Sequence, residues 1–136
     1  MLVLDASALV DLLLARPQAE QIGRHVADHT PEIHAPELID LEVLSALRRL
    51  VSSGETSSER AAEAVDDLLA LPIERHRHAP LLERVWELRA TVTTYDASYV
   101  ALAEALSDPA AALLTTDVRL ARATAANSQV KTLLIA

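Results

Sequence analysis

A chain of 136 residues with no Cys, no Phe, two Gly and a formal charge of −8 reads as a single domain, residues 1–136, rather than a string of modules. At this size folding hides roughly 68–70% of the unfolded surface, so a core forms without disulfides or structural zinc. That core must be aliphatic, because 51% of the residues are hydrophobic and only 2% aromatic.

The acidic balance excludes a histone-like or polybasic nucleic-acid binder, which holds phosphates mainly by neutralising them. It leaves room for an enzyme that recruits cations locally. No apolar run approaches the roughly 20 residues of a membrane span, and the charged sequence after Leu14 does not fit a signal-peptide cleavage region. The expected compartment is the cytoplasm.

Leu2-Val3-Leu4, closing at Asp5, reads as a buried first strand. Ser7 to Leu14 reads as a helix, and Pro17 to His29 as another with Ala19, Ile22, Val26 and Ala27 on one side. Ile33-His34-Ala35 is a short second strand. Pro36 suits the first turn of a helix that runs to Val51, with apolar positions over most of its circumference, so burial between neighbours is expected. A helix capped between Thr56 and Ser58 ends before Pro72, and Pro72-Ile73-Glu74 is a weak strand. Residues 79–90 and 96–106 read as helices, 111–114 and 130–135 as strands, and 118–124 as a helix between them. Strands alternating with helices give an α/β class with a mainly parallel sheet covered on both faces.

Sheets of this kind place ligand sites at the carboxyl ends of their strands. Asp5 closes the first strand, and Asp117 follows Leu113-Leu114-Thr115-Thr116. Asp96 opens a helix, and Glu42 lies within an apolar one. If the four meet, the charge is costly: like charges about 4 Å apart repel by about 4 kcal/mol at an effective dielectric near 20. They must then bind protons or cations. Oxygen-only ligands suit Mg²⁺ or Mn²⁺, which take carboxylates together with substrate phosphate, and the chemistry implied is metal-assisted phosphoryl transfer.

Each Asp has a plainer explanation. Asp5 and Asp117 can cap the helices that follow them, and Asp96 stands three residues after Thr93, the spacing of a capping box. Capping and ligation are not exclusive. Glu42 resists that reading, because its neighbours are apolar and Arg49 returns to within about 20° of its azimuth about 10 Å along the helix. With Ser45 between them, one polar stripe runs down the helix. Taken alone, that stripe is a solvent-facing one.

Leu2-Val3-Leu4-Asp5-Ala6-Ser7-Ala8-Leu9, Leu41-Glu42-Val43-Leu44-Ser45-Ala46-Leu47-Arg48-Arg49, Tyr95-Asp96-Ala97-Ser98-Tyr99-Val100-Ala101-Leu102-Ala103 and Leu113-Leu114-Thr115-Thr116-Asp117-Val118-Arg119-Leu120 form a set. In this order, and over essentially the whole chain, the set resembles the PIN-domain ribonucleases, specifically the VapC toxins of toxin-antitoxin pairs. The resemblance implies that Asp5, Glu42, Asp96 and Asp117 are the metal-binding catalytic acids and that Ser7 and Thr115 support them by hydrogen bonds. It implies a three-layer α/β/α sandwich and a Mg²⁺- or Mn²⁺-dependent endoribonuclease acting on single-stranded or loop RNA, leaving 5′-phosphate and 3′-hydroxyl ends. A homodimer, and a cognate antitoxin whose C-terminal segment reaches the acidic site, are implied as well. Where many relatives carry Asn in the long helix this chain has Ser45, which removes any contact an amide makes there.

An acidic protein needs local positive charge to hold RNA. Arg48 and Arg49 follow Glu42, and Arg119 and Arg122 follow Asp117 one helical turn apart, so these four are expected at the groove mouth on phosphates. Ordinary surface pairing is the competing account. Tyr95 adjoins Asp96 and is a candidate for touching substrate. His76-Arg77-His78 lacks a third ligand nearby and reads as a solvated loop, and His25, His29 and His34 show no paired spacing to a second ligand. Two rivals remain. An aspartyl-phosphate phosphotransferase of the haloacid-dehalogenase type needs a second Asp where Ser7 stands. An inactive PIN scaffold acting as a protein- or RNA-binding module is the other.

Overall fold

A computed structural model describes residues 1–106 and 111–136. The first strand, β1 (Leu2–Leu4), leads into α1 (Ala6–Leu13) and α2 (Ala19–His29), then β2 (Ile33–Pro36), α3 (Leu38–Ser52) and α4 (Ser58–Ala70). After β3 (Ile73–His76) come a 3₁₀ turn at Ala79–Leu81, α5 (Leu82–Glu87), α6 (Thr94–Ala105), β4 (Ala112–Thr115), α7 (Val118–Asn127) and β5 (Lys131–Leu134). The strands form one parallel sheet in the order β3-β2-β1-β4-β5. Helices α1 to α4 pack on one another, while α5 and α6 form a second group in which α6 lies against β1, β2 and β4. This is the α/β/α sandwich the sequence leads one to expect.

The centre of the sheet is aliphatic. Leu2, Val3, Leu4, Leu113 and Leu114 are buried on both sides, as continuous apolar runs in a covered parallel sheet must be. The strand order reverses at β1, with β2 and β3 laid down on one side of it and β4 and β5 on the other, and the crevice beyond the carboxyl ends of β1 and β4 is where such sheets bind ligands.

Several boundaries differ from the sequence reading. Pro36 ends β2 rather than opening a helix, since its ring fits the end of a strand as readily as a first helical turn. Helix α3 buries only Ile39, Val43, Leu47 and Leu50, a single stripe at helical spacing, and leaves Leu41 72% and Leu44 43% exposed. The expectation of burial all round is therefore wrong: leucine on a helix is not proof of a neighbour. Residues 79–90 form a 3₁₀ turn and a short helix instead of one helix, and α6 begins at Thr94. His76 lies in β3, not in a loop.

Candidate active site

The crevice is an open cavity lined by Asp5, Ser7, Asp11, Arg16, Glu42, Ser45, Arg49, Tyr95, Asp96, Asp117 and Arg119, among others. All four acids singled out in the sequence therefore reach one place from separate elements. Asp5 follows β1, Glu42 projects from α3, Asp96 sits in the first turn of α6, and Asp117 caps α7. The polar stripe of α3 faces this cavity: Glu42, Ser45 and Arg49 recur at i, i+3 and i+7.

Asp5 is 6% exposed and occupies the N-cap position of α1, yet its side chain makes no capping bond. Ser7 Oγ and Thr115 Oγ1 both donate to Asp5 Oδ2, the latter over 2.6 Å. Thr115 Oγ1 in turn accepts from the Asp117 backbone N–H at 2.9 Å. One hydroxyl thus couples the ends of β1 and β4. Asp117 is a cap as well as a cavity residue, since its Oδ1 accepts from the Arg119 backbone N–H at 2.8 Å. On Glu42, Oε1 accepts from Tyr99 Oη at 2.6 Å.

The electrostatics follow from this crowding. Burial raises the Asp5 carboxyl above its ordinary range; the Ser7 and Thr115 hydrogen bonds oppose it, and Asp96 and Asp117 add to it. Glu42 is raised by burial, against the pull of Tyr99 and with the push of Asp5 and Asp96. Asp96 is raised by burial, with Thr93 opposing and Asp117 reinforcing. Five carboxylates and three guanidinium groups line the cavity, so the chain does not balance its own charge there. An all-oxygen, partly buried donor set with excess negative charge fits a hard divalent cation, and these residues accommodate one. Both hydroxyls donate to Oδ2 and so orient the Asp5 carboxylate that would help hold such a cation.

Of the four arginines expected at the groove mouth, Arg49 and Arg119 line the cavity, and Arg119 lies 3.3 Å from Asp117. Arg48 and Arg122 are exposed and do not line it: Arg48 is turned by about 100° from its neighbour Arg49 on α3, and Arg122 lies one turn beyond Arg119 along α7. Two residues escaped the sequence reading. Asp11 was detectable, because Ser7 and Asp11 share a helix face at i, i+4. Arg16 lies beyond the end of α1 and carries no such signal. Ser7 also bears on the phosphotransferase rival, because it ties Asp5 through a hydroxyl where that chemistry needs a second carboxylate.

Comparison with known proteins agrees with the geometry. The PIN domain family model matches residues 2–126. Ribonuclease VapC1 of Mycobacterium tuberculosis is 45% identical over 130 residues, 95% of each chain. Ribonuclease VapC12 of the same organism is 38% identical over 131 residues, 96% of this chain and 98% of that one. Ribonuclease VapC9, also from that organism, is 42% identical over 120 residues, 88% of each. With likeness of this extent joined to a parallel sheet that gathers the acids at its switch point, the chain belongs to the PIN-domain family, among the VapC-type ribonucleases.

Proposed function

We propose that this chain is a Mg²⁺- or Mn²⁺-dependent endoribonuclease toxin that hydrolyses single-stranded or loop RNA and leaves 5′-phosphate and 3′-hydroxyl ends. The observation that carries the reading is the meeting of Asp5, Glu42, Asp96 and Asp117 around one cavity that also presents Arg16, Arg49 and Arg119. The four carboxylates are the residues that would hold the cation. A bound divalent ion supplies a lower pKa for an attacking water and positive charge beside the leaving oxygen.

The chain's own contribution is positioning. Ser7 and Thr115 fix the Asp5 carboxylate, and Tyr99 fixes that of Glu42. Arg49 and Arg119 hold the phosphates flanking the scissile one, so that the bond from phosphorus to the 3′ oxygen lies among the acids. Arg48 and Arg122 reach only RNA that extends beyond the cavity. Tyr95, 61% exposed at the rim, offers a face on which an unpaired base can stack.

A cognate antitoxin that covers this cavity, and a cytoplasmic homodimer, complete the reading. Supporting the covering partner, a small apolar recess formed by Leu38, Leu81, Leu82, Val85 and Tyr95 adjoins the acidic cavity and shares Leu38 and Tyr95 with it. The test is incubation of purified, antitoxin-free protein with total RNA, with and without Mn²⁺, followed by mapping of new 5′ ends. Discrete 5′-phosphate ends that need the ion and vanish in Asp96→Asn are expected. No new ends in the presence of Mn²⁺ would overturn the assignment.

A further inference from the structure

Strands β2 and β3 run parallel, with His34 opposite Glu74 and Pro36 opposite His76. Side chains alternate across a sheet, so His34, Glu74 and His76 share one face while Arg75 turns to the other and bonds Asp40 of α3. On the shared face His34 Nδ1 lies 2.9 Å from His76 Nε2 and 3.5 Å from Glu74 Oε2. One donor atom from each of the three falls within 4.8 Å of the others. The rings are tilted by 37° rather than stacked, so the contact runs nitrogen to nitrogen.

We propose that His34, Glu74 and His76 form a binding site for a divalent first-row transition ion, with Zn²⁺ the best match. Zinc held at about 2.0–2.2 Å by two imidazoles and one carboxylate in a tetrahedral arrangement needs donor atoms roughly 3.3 Å apart. The histidine pair has only to open by a few tenths of an ångström. Glu74 is an exposed side chain free to adjust, whereas His34, 7% exposed, is fixed in the sheet. At present the two facing nitrogens share one proton; the ion takes its place, and the ring that held the proton carries it on its other nitrogen, so both histidines bind as neutral imidazoles. Nitrogen donors select against Mg²⁺ and in favour of zinc-like ions, so this site does not compete for the cation of the acidic cavity, which none of the three residues lines. Burial also keeps the His34 imidazole below its ordinary range, hence neutral. A bound ion would fasten the edge strand β3 to β2.

The experiment is calorimetric titration of the full chain with Zn²⁺ in excess Mg²⁺, with visible absorption of Co²⁺ as a second probe of coordination. One Zn²⁺ per chain is expected, together with a rise in thermal midpoint. Glu74→Gln, at an exposed position that keeps the fold, and His76→Gln should each weaken binding by about tenfold or more, at least what loss of a supporting contact costs a metal site. Asp96→Asn should bind Zn²⁺ as the parent does. The proposal is overturned by parental affinity in both Glu74→Gln and His76→Gln, by loss of the Zn²⁺ site in Asp96→Asn, or by no Zn²⁺ uptake in the parent, which would leave a plain histidine hydrogen bond.

Discussion

Tyr99 and Glu42, 57 positions apart, are joined by a 2.6 Å hydrogen bond from the phenol to carboxylate Oε1. Tyr99 is fully buried, and burial together with the nearby Glu42 charge pushes its phenol far above the ordinary range, so it acts only as a donor. The bond ties α6 to α3 and opposes the rise in the Glu42 pKa.

Tyr99→Phe therefore should cost about 1 kcal/mol of stability, the net value of one such bond. It should also let the Glu42 pKa climb further. If Glu42 must be ionised to hold the cation, the acidic limb of the pH–cleavage profile moves to higher pH. A profile at saturating Mn²⁺ checks this, and an unmoved limb would mean that the bond serves only the fold.

Stability of the cation-free chain should fall as pH rises. Asp5, Asp11, Glu42 and Asp96 are all raised, burial being the largest cause in each. A carboxyl raised in the folded state contributes stability that is fully present below its unfolded pKa, near 4, and is lost as pH climbs through the raised value. Glu104 opposes the trend: burial works to raise it, but the Arg84 and Ser128 hydrogen bonds outweigh that and lower it, so its contribution disappears as pH falls. The His34 imidazole, lowered by burial, opposes it too, because its unfolded form takes up a proton on acidification that the folded form does not; four groups against two set the expected sign. Thermal midpoints in EDTA should drop from mildly acidic to neutral pH, and Mn²⁺ should suppress the drop.

Asp96→Asn separates ligand from cap. Removing one repelling charge should leave the cation-free protein as stable or up to about 1 kcal/mol more so at neutral pH, a small figure because the site is partly wet. Cleavage should be abolished. Lower stability with cleavage intact would instead make Asp96 a helix-capping residue.

What was legible in the sequence follows from how far each signal reaches. Asp5 and Asp117 are visible because a strand ending in an acid is a local pattern, and the topology of parallel sheets then brings strand ends together. Glu42 is visible as part of a stripe within one helix. His34 and His76 are 42 positions apart, and only the register of β2 on β3 brings their rings together; no local spacing encodes that register. Leu41 and Leu44 misled for the opposite reason: composition suggests burial, but the azimuth of α3 against its neighbours decides it.

Arg49 and Arg48 give a paired test of the groove. Arg49→Ala, from the cavity wall, should weaken RNA binding and lower the slope of log K against log salt by about 0.7, the loss of one single-strand phosphate contact. Arg48→Ala, on the outer side of the same helix, should change neither by a comparable amount. Filter binding of a single-stranded RNA to Asp96→Asn at several salt concentrations measures both. Equal slopes for Arg48→Ala and Arg49→Ala would remove Arg49 from the substrate path.

Arg75 offers a structural control away from the chemistry. Its guanidinium bonds Asp40 twice, at 2.8 and 2.9 Å, and also reaches the backbone carbonyls of Ile73 and Leu68. It thereby fastens the edge strand β3 to α3 and α4. Alanine at this position should cost about 1–2 kcal/mol, less than a fully buried pair because both partners keep some access to water. The urea midpoint should fall with the slope unchanged, as for a loss of stability without a change in the surface exposed on unfolding. Mn²⁺-dependent cleavage should stay near that of the parent, because Arg75 lines no part of the acidic cavity. Cleavage lost at a temperature where the variant remains folded would mean that β3 supports the site through α3 and Glu42.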